Sequence, residues 1–417
     1  MKTLDYPWSK FSLRLKVPEK VFLFLEKAKS LAKRSGFFLY LAGGPVRDVL
    51  LGREVKDLDL VLQGNWEELL ANLLKETEAM VKFRSQFLTY KILFADGFTL
   101  DLVTARKEVY KEPASLPEVS PGTYLDDIMR RDFTINSLIY GLTPPQEERI
   151  VDLLSGTEDL QKGLLRPLHI KSFVEDPTRA FRGVRYKVRF SFRYSEDFFL
   201  ALTEGDKFSS FKKLSPSRLS QELKLFVTKE PLANISLLCR ELQEVKLLKR
   251  VDLQVKEIAE EDFILMKRAK EELKASDFER FFLLFLVKIE EKTLRRLNFP
   301  EEEINKMLEY YRKFQEGSFL QDLPLLEKVE FLERIPPYFL FRLALEKKGR
   351  EIVMAFWDKW RHLKPALKGK DLLAMGVKEG KKIGEILREI RRAKLEGKIH
   401  SLEEEKILAK NLIFLED

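Results

Sequence analysis

Two aspartates near the N-terminus have the residue type and the spacing of a metal-binding pair. Asp57 and Asp59 alternate with Leu58 and Leu60, so a strand would place both carboxylates on one face, roughly 7 Å apart at their Cα atoms. Such a pair can share two Mg²⁺ ions that lie about 4 Å apart. The same pattern on an exposed strand can be merely solvated, so the neighbouring residues must distinguish a catalytic site from a polar surface.

A glycine turn precedes the aspartates. Residues 37–41 are all aromatic or aliphatic and predict a buried strand, which ends at Gly43 and Gly44. These glycines let the backbone bend and a ligand approach closely, and a short helix is predicted over Val46 to Leu51. A helix N-terminus after such a turn can cradle a phosphate, with Gly44 in the turn and Arg47 adding a planar charged donor.

Together these blocks resemble the signature of one family. Gly43-Gly44-Pro45-Val46-Arg47-Asp48 and Asp57-Leu58-Asp59 are similar to motifs of the class II tRNA nucleotidyltransferases and bacterial poly(A) polymerases, within the polymerase-β-like nucleotidyltransferase superfamily. The resemblance implies template-independent addition of nucleotides to an RNA 3′ end, with Mg²⁺ held by the catalytic residues Asp57 and Asp59. It also implies that the partners are ATP and the 3′ end and acceptor or elbow region of tRNA, with CTP as a further substrate in one alternative.

The composition favours about two to four subdomains and an anionic partner. A chain of 417 residues is too long for one ordinary core, and its formal net charge of +8 favours nucleic acid. The richness in Lys and Glu is typical of thermophilic proteins. The single cysteine, Cys239, allows no internal disulfide and has apolar neighbours that predict burial. The three histidines are widely separated, which argues against a zinc site, and without a signal peptide or membrane span we expect a soluble cytoplasmic protein.

The hydrophobic periodicity predicts an α+β N-terminal domain. Helices from Val17 to Ser35 and from Trp66 to Met80 flank the aspartate strand, and strands from Phe83 to Phe94 and from Phe98 to Val103 form a hairpin. This is a small mixed sheet with helices, of the polymerase-β-like type that the resemblance implies, followed by an elongated all-α region from Ser215 onward. We expect four domains: a catalytic head at 1–140, a base-recognition neck at 141–215, a helical body at 216–310 and a helical, tRNA-binding tail at 311–417.

The second hairpin strand carries another acid, Asp101, between apolar residues. In the resemblance it falls where the superfamily often places a third catalytic carboxylate on a neighbouring strand, a candidate general base for a hydroxyl nucleophile. The alternative is a structural carboxylate that pairs across the sheet with a Lys or Arg.

The segment between Arg106 and Asp127 holds three prolines and a glycine among mixed charges. We expect a mobile, irregular loop of about twenty residues, which is either functional or a surface excursion. In the resembled family this loop borders the active site of enzymes that add the terminal A, and it is shortened or missing in those that add only C. The resemblance therefore favours an A-adding capability.

A third block, Arg130-Arg131-Asp132-Phe133-Thr134-Ile135-Asn136, resembles the R-R-D-[FL]-T-x-N motif of the same family. Arg131 offers a triphosphate or ribose a charged fork, Asp132 offers an acceptor, and Asn136 can fix the turn between them. A pair of arginines before a helix is usually a solvated face, but here it follows the first two blocks in the family's order.

The stretch from Asp176 to Phe190 predicts a helix with one basic face. Asp176 followed by Pro177 is a typical N-terminal cap. The arginines recur every three or four residues and share a face; they are Arg179, Arg182, Arg185 and Arg189. The alternatives are a solvated surface and a nucleotide held along the arginines by its phosphates.

The first turn of this helix could select a base. Asp176 can accept a hydrogen bond from the exocyclic amine of cytosine or adenine while Arg179 donates to the adjacent ring nitrogen, whereas uracil and guanine present a carbonyl to the same acceptor. Asp176-Pro177-Thr178-Arg179 matches the family's E-D-x-x-R block, which implies this role. A capping role for Asp176 is the alternative, and the two roles need one carboxylate oxygen each.

We interpret the sequence as that of an Mg²⁺-dependent nucleotidyltransferase that extends the 3′ end of tRNA. Addition of the whole CCA, addition of the final A and synthesis of poly(A) remain open. The thermophilic composition favours A addition alone, since some such bacteria in the resembled family divide CCA synthesis between two enzymes. The segment from Lys368 to Gly376 resembles the family's tail block. The alternative of another class is a catalytically inactive RNA-binding module.

Overall fold

A computed structural model describes residues 2–55, 57–75, 77, 79–85, 89–316, 319–346, 349–378 and 380–414. The chain divides into two units, one of Met1–Arg218 with Leu237–Val251 and one of Leu219–Ser236 with Asp252–Asp417. The four domains expected from the sequence stay a prediction. Every helix over the residues just given is too short or too polar to cross a lipid bilayer.

The first unit is built on an eight-stranded mixed sheet. Its strands are β1 Lys2–Asp5, β2 Phe38–Ala42, β3 Asp59–Gln63, β4 Ala79–Arg84, β5 Thr89–Phe94, β6 Thr99–Thr104, β9 Ile139–Gly141 and β10 Arg149–Asp152, in the spatial order β1-β10-β9-β2-β3-β6-β5-β4. Within this sheet, as far as the structure describes it, β3 and β6 are parallel and the other neighbouring strands are antiparallel. Two small sheets pair β7 Arg106–Val109 with β8 Glu118–Pro121, and β11 Leu164–Leu165 with β12 Arg193–Tyr194.

Helices connect and cover these strands. Those of the first unit are α1 Trp8–Ser12, α2 Glu19–Arg34, α3 Gly44–Leu50, α4 Trp66–Lys75, α5 Tyr124–Met129, α6 Gly156–Lys162, α7 Ser172–Glu175, α8 Thr178–Phe190, α9 Glu196–Lys207, α10 Ser210–Lys213 and α13 Leu247–Arg250. Helices α11 Pro216–Thr228 and α12 Ile235–Glu244 contain residues of both units. A 3-10 turn at Thr134–Asn136 precedes β9.

The second unit is helical over its described residues, apart from one β-bridge between Val255 and Val287. Its helices are α14 Asp262–Glu272, α15 Ala275–Phe285, α16 Glu291–Arg296, α17 Glu301–Gln315, α18 Phe319–Asp322, α19 Leu325–Glu333, α20 Pro337–Leu343, α21 Arg350–Asp358, α22 Gly369–Ala374, α23 Lys381–Leu395 and α24 Leu402–Phe414. The predicted fold class, an α+β domain followed by an all-α region, is confirmed.

Local sequence explains the elements that precede the aspartates. Helix α2 begins after Pro18 and ends before Gly36, whose φ of +69° is unfavourable for other residues. Its buried residues recur at helical spacing and pack toward the sheet. All five residues of β2 are buried, as expected for a strand in the middle of a sheet that is covered on both faces.

Two predictions about the hairpin region were wrong. The helix predicted over 66–80 ends at Lys75, because Ala79 and Met80 belong to β4, the edge strand of the sheet. The strand predicted over 83–94 is two antiparallel strands, β4 and β5; residues 86–88 within that prediction lie outside the described residues. The turn before Phe98 is present, with Gly97 at a φ of +85°. A short apolar edge strand lacks the alternation that would have separated it from a helix.

The prediction of an irregular loop over 106–127 was also wrong. Strands β7 and β8 form an antiparallel hairpin there, and α5 follows. Charged contacts replace apolar alternation as the stabilising force: the buried Glu108 accepts hydrogen bonds from Arg106, Tyr110 and Arg130. The loop was predicted from the prolines, the glycine and the mixed charges of this stretch, and composition does not reveal which charges pair.

Replacing Gly183 by Ala tests the packing of α8. A Cβ at this position would lie 2.6 Å from Cε2 of Phe198 and 2.9 Å from Cζ of Phe133, two fully buried rings. Helix propensity alone would stabilise the variant by about 1 kcal/mol. We expect instead a loss of about 1–3 kcal/mol in the free energy of unfolding, measured by denaturant titration, because overpacking dominates.

The matched control is Gly384→Ala in α23, where a Cβ would have no neighbour within 4 Å. This variant should keep or gain stability, by up to about 1 kcal/mol. A Gly183→Ala variant as stable as the wild type would contradict the packing described for α8.

Candidate active site

The aspartate pair lies at the start of β3. Asp57 and Asp59 are exposed while Leu58 and Leu60 are buried, so the expected alternation is present, although Asp57 itself precedes the strand. Lys56, which the sequence motif included, lies outside the described residues. The alternation comes from the pleat, which sends successive side chains to opposite faces of the sheet.

The structure brings Asp101 to the same face. In the parallel pairing of β3 with β6, Asp59 and Asp101 are direct neighbours. Asp101 also pairs across the sheet with Lys91, whose Nζ lies 2.5 Å from the carboxylate oxygen Oδ1. Both readings of Asp101 therefore have structural support: it is the cross-strand partner of a lysine, and it lies beside the aspartate pair.

The clustering of acids is visible in the pKa of Asp59. Removal of water by the surrounding protein raises this pKa, the charges of Asp101 and Asp57 raise it further, and Arg131 opposes them. A divalent cation would relieve this repulsion and favour the ionised carboxylate.

The carboxylates of Asp57 and Asp59 fit Mg²⁺ as the protein's share of its ligands. Mg²⁺ in nucleotide-binding enzymes is commonly held by one or two carboxylates together with substrate phosphates. Within the described parts of the chain, no group of three or more acidic, His or Cys side chains is spaced to hold a metal ion. Phosphate oxygens of a bound nucleotide would therefore have to complete the coordination.

The glycine turn packs closely against the third sequence block. Gly43 has a φ of +74°, and a Cβ there would lie 2.6 Å from Nη1 of Arg131. Gly44 begins α3, as the predicted phosphate cradle requires. Arg47 is buried, and it donates to Oδ1 of Asn136 at 2.6 Å and to Asp48 at 2.9 Å. The phosphate contact expected of Arg47 stays a prediction, since these two bonds are made within the protein.

Asp132 is the centre of a buried polar network. Its Oδ1 accepts hydrogen bonds from the backbone N–H of Phe133 at 2.8 Å and from Nδ2 of Asn136 at 2.9 Å. Its Oδ2 accepts from Nε of Arg182 at 2.7 Å. Through Asn136 the network reaches Arg47, so it joins α3, the 3-10 turn and α8. Both oxygens of Asp132 are thus used inside the protein, and the predicted ribose contact stays a prediction.

A second buried carboxylate holds the two arginines of the same block. Asp127 contacts Arg130 at 2.6 Å and Arg131 at 2.9 Å. Burial would raise the pKa of Asp127, but the two guanidinium groups outweigh burial and lower it to about 2. The pKa of Asp132 is likewise lowered to about 2, because Arg182 and the N–H donors of Asn136 and Phe133 outweigh burial.

The N-cap residue of α8 is Pro177 rather than the predicted Asp176, whose carboxylate bonds to the first residue of the helix and is itself held. Its Oδ1 accepts from the backbone N–H of Thr178 at 3.0 Å, from the Thr178 hydroxyl at 2.6 Å and from Nη2 of Arg218 at 2.6 Å. Nη1 of Arg218 donates to the carbonyl of Ala114 in the β7–β8 hairpin at 2.9 Å. All of these bonds end on Oδ1, so the contact with the start of the helix and the predicted base contact at Oδ2 are compatible.

The arginines of α8 are less open than the sequence suggested. Arg179 and Arg185 are buried, while Arg182 and Arg189 are half-buried. Both Nη atoms of Arg179 are engaged: Nη2 donates to the carbonyl of Arg130 at 2.8 Å, and Nη1 donates to the Ser172 hydroxyl at 3.0 Å. If Arg179 reads a base with these atoms, it must exchange one of those partners.

Sequence reasoning missed Lys91, Asp127 and Arg218. Asp127 lies three and four residues before Arg130 and Arg131, the spacing at which side chains on one helix face pair, so this signal was available. Lys91 faces Asp101 through the register of the hairpin. Arg218 is 42 residues from Asp176, and nothing local indicates that they meet.

Comparison with known proteins places this site in a family. Residues 39–166, which contain the glycine turn, the aspartates and the R-R-D block, match the family described as the poly(A) polymerase head domain. This part of the chain therefore resembles the head domain of the poly(A) polymerases.

Relatives and a solved structure extend this likeness beyond the head. The chain is 28% identical over 379 residues to an A-adding tRNA nucleotidyltransferase of Halalkalibacterium halodurans, covering 85% of this chain and 84% of that protein. It is 30% identical over 373 residues to an A-adding enzyme of Aquifex aeolicus, but spans only 44% of that protein. A CCA-adding enzyme in its apo form has a TM-score of 0.77 and 26% identity, covering 98% of this chain and 100% of that one.

The two buried carboxylates make the free energy of unfolding depend on pH in the acid range. Because the pKa values of Asp127 and Asp132 are lowered from 3.8 to about 2 in the folded protein, their ionised forms stabilise it above pH 4. We expect each carboxylate to contribute about 2 kcal/mol to the free energy of unfolding above pH 4. Most of this contribution should be lost as the pH falls from about 4 to about 2. The free energy of unfolding measured across this range checks the expectation.

Trp8 and Trp66 lie in the first unit, so their fluorescence in a Trp357→Phe, Trp360→Phe background reports unfolding of that unit. Asp132→Asn should reduce the pH dependence, and Asp5→Asn, at a largely exposed carboxylate, should not. If Asp132→Asn left the pH dependence of the free energy of unfolding unaltered, this network would not be what keeps the carboxylate of Asp132 ionised.

Proposed function

We propose that this protein is a template-independent nucleotidyltransferase that extends the 3′ end of tRNA, and that its principal reaction is addition of the terminal A. The observation that carries the proposal is the placement of Asp59 and Asp101 as neighbours on parallel strands, beside the glycine turn of the family's head domain. The match of residues 39–166 to that head domain and the likeness to two A-adding tRNA nucleotidyltransferases support it.

In the reaction, the oxygen of the RNA 3′-hydroxyl forms a bond with the α-phosphorus of ATP, and the bond from that phosphorus to the bridging oxygen breaks to release pyrophosphate. Asp57 and Asp59 would hold Mg²⁺. When bound, Mg²⁺ neutralises developing charge on the phosphates and activates the hydroxyl. Asp101, in register beside Asp59, is the candidate acceptor of the hydroxyl proton.

Selection of the nucleotide is assigned to Asp176. Its Oδ1 is occupied by Thr178 and Arg218, which fixes the carboxylate and leaves Oδ2 to accept a hydrogen bond from the exocyclic amine of adenine. Uracil and guanine would place a carbonyl against this acceptor, at a cost of about 1–3 kcal/mol or more when buried. Cytosine carries a similar amine, so this contact alone does not separate ATP from CTP.

Of three alternatives, two keep specific support. Addition of the whole CCA is favoured by the likeness to a CCA-adding enzyme over nearly the full chain. Synthesis of poly(A) is favoured by the description of the matching head domain. A catalytically inactive RNA-binding module would need only the basic helical part, but the exposed Asp57 and Asp59 argue for activity.

Three tRNA substrates distinguish these activities. The protein is incubated with tRNA ending before CCA, after one C and after CC, with labelled ATP and labelled CTP supplied separately. We expect one A to be added to the tRNA that ends in CC and no uptake of C, because the proposed reaction is terminal A addition. Uptake of C on the shorter tRNAs would show full CCA synthesis, and long A tracts on unrelated RNA would show poly(A) synthesis.

Asp57→Ala should abolish incorporation in the same assay, since the proposed metal site loses half of its protein donors. Asp5→Ala is the matched control: Asp5 is an exposed strand aspartate on β1, an edge strand of the sheet that is not a neighbour of β3. Normal incorporation by Asp57→Ala would contradict the metal assignment, whereas no incorporation by the wild type with any tRNA or nucleotide would contradict the proposed function.

A further inference from the structure

The row of side chains that begins at the active site continues to the edge of the sheet. Asp59 on β3 is in register with Asp101 on β6, which is opposite Lys91 on β5, which is opposite Phe83 on β4. Residues paired in register point to the same face of a sheet. This face, which carries the acids, therefore also carries Lys91 and then Phe83.

The edge strand presents large apolar side chains to solvent. Phe83 is 59% exposed, and its neighbour Met80, paired with Leu93, is 63% exposed. The basic residue that shares this face with Phe83 is Lys91, whereas Arg84 pairs with Tyr90, contacts Glu67 and lies on the other face. An exposed aromatic side chain beside a cation is the combination that single-stranded nucleic acid contacts, with bases stacked on the ring and phosphates near the cation.

The order of the strands indicates which substrate reaches this face. The groups assigned to the nucleotide lie on the β2 and β9 side of Asp59: the glycine turn follows β2, and the Asp132 network precedes β9. Phosphoryl transfer requires the attacking and leaving oxygens to be roughly in line on opposite sides of the phosphorus. With the triphosphate on the β2 side, the attacking hydroxyl must approach from the β6, β5 and β4 side.

We propose that the single-stranded 3′ end of the acceptor RNA runs across β6, β5 and β4, with one of its bases stacked on Phe83 and a phosphate near Lys91. The strand spacing of about 4.8 Å places β4 roughly 10 Å from β6, so Phe83 lies close enough for a base near the reacting end. This inference rests on the proposed function, since it names the path of the substrate of that reaction. It adds a surface outside the sequence motifs of the site.

The test measures the binding of acceptor RNA separately from the use of ATP. The full-length protein is titrated with an RNA hairpin that carries the tRNA acceptor stem and a fluorescent 2-aminopurine in its unpaired 3′ end, and steady-state addition of A is measured. With Phe83→Ala we expect the quenching of 2-aminopurine that marks stacking to be lost. The KM for RNA should rise about tenfold, which is within the range for one base–aromatic stack, while the KM for ATP stays unchanged.

Val81→Ala is the matched control. Val81 is on the same strand and 39% exposed, but the register shifts between Val81 and Phe83. Val81 therefore pairs with the buried Ile92 and points to the other face. It should bind RNA as the wild type does, and Phe83→Trp should keep both the quenching and the KM. These three variants separate stacking from a general disturbance of the edge strand.

The inference would be overturned if Phe83→Ala and Val81→Ala had the same 2-aminopurine quenching and the same KM for RNA. So would sedimentation showing that Phe83 joins two copies of the chain while RNA binding is unaffected, since exposed edge strands can pair with each other. The fluorescence titration needs no catalysis, so loss of the proposed function, seen as no addition by the wild type, is distinguishable from loss of the stacking contact.

Discussion

The buried charge of Asp132 is the constraint on which the active site depends. A carboxylate removed from water is costly unless each oxygen is matched by donors, and here a guanidinium, an amide and a backbone N–H supply them. These donors come from α8, the 3-10 turn and the chain beside it. The elements cannot shift apart without leaving the charge unpaired, so the network fixes α8 to the 3-10 turn and to the chain that leads into β9.

The same principle explains why so many arginines of the motifs point into the protein. Arg47 and Arg179 are buried and bonded to internal partners, and Arg131 lies against Gly43 with Asp127 as its counter-ion. A site held by such pairs is rigid before the substrate arrives, which reduces the ordering needed in the transition state. Its motif residues therefore act in part by positioning one another, and Asp57 and Asp59 are the carboxylates left exposed to solvent.

Much of the fold could be predicted because it depends on local patterns in the sequence. The buried strand β2, the helix α2 and the alternation around Asp59 follow from periodicity and from Pro18 and Gly36. The β7–β8 hairpin could not be predicted, since its core is the ion-paired Glu108 rather than an apolar stripe. Contacts between distant residues, such as Arg218 with Asp176, depend on tertiary structure that no spacing rule contains.

A double-mutant cycle on Asp132 and Arg182 tests the central claim most directly. The value of kcat/KM for ATP is measured for Asp132→Asn, Arg182→Gln and the double variant, with the free energy of unfolding of each. If the pair holds the site together, the double variant will be no worse than the poorer single variant, with a coupling energy of at least about 1 kcal/mol. Losses that simply add would contradict the account, because the two side chains would then act independently.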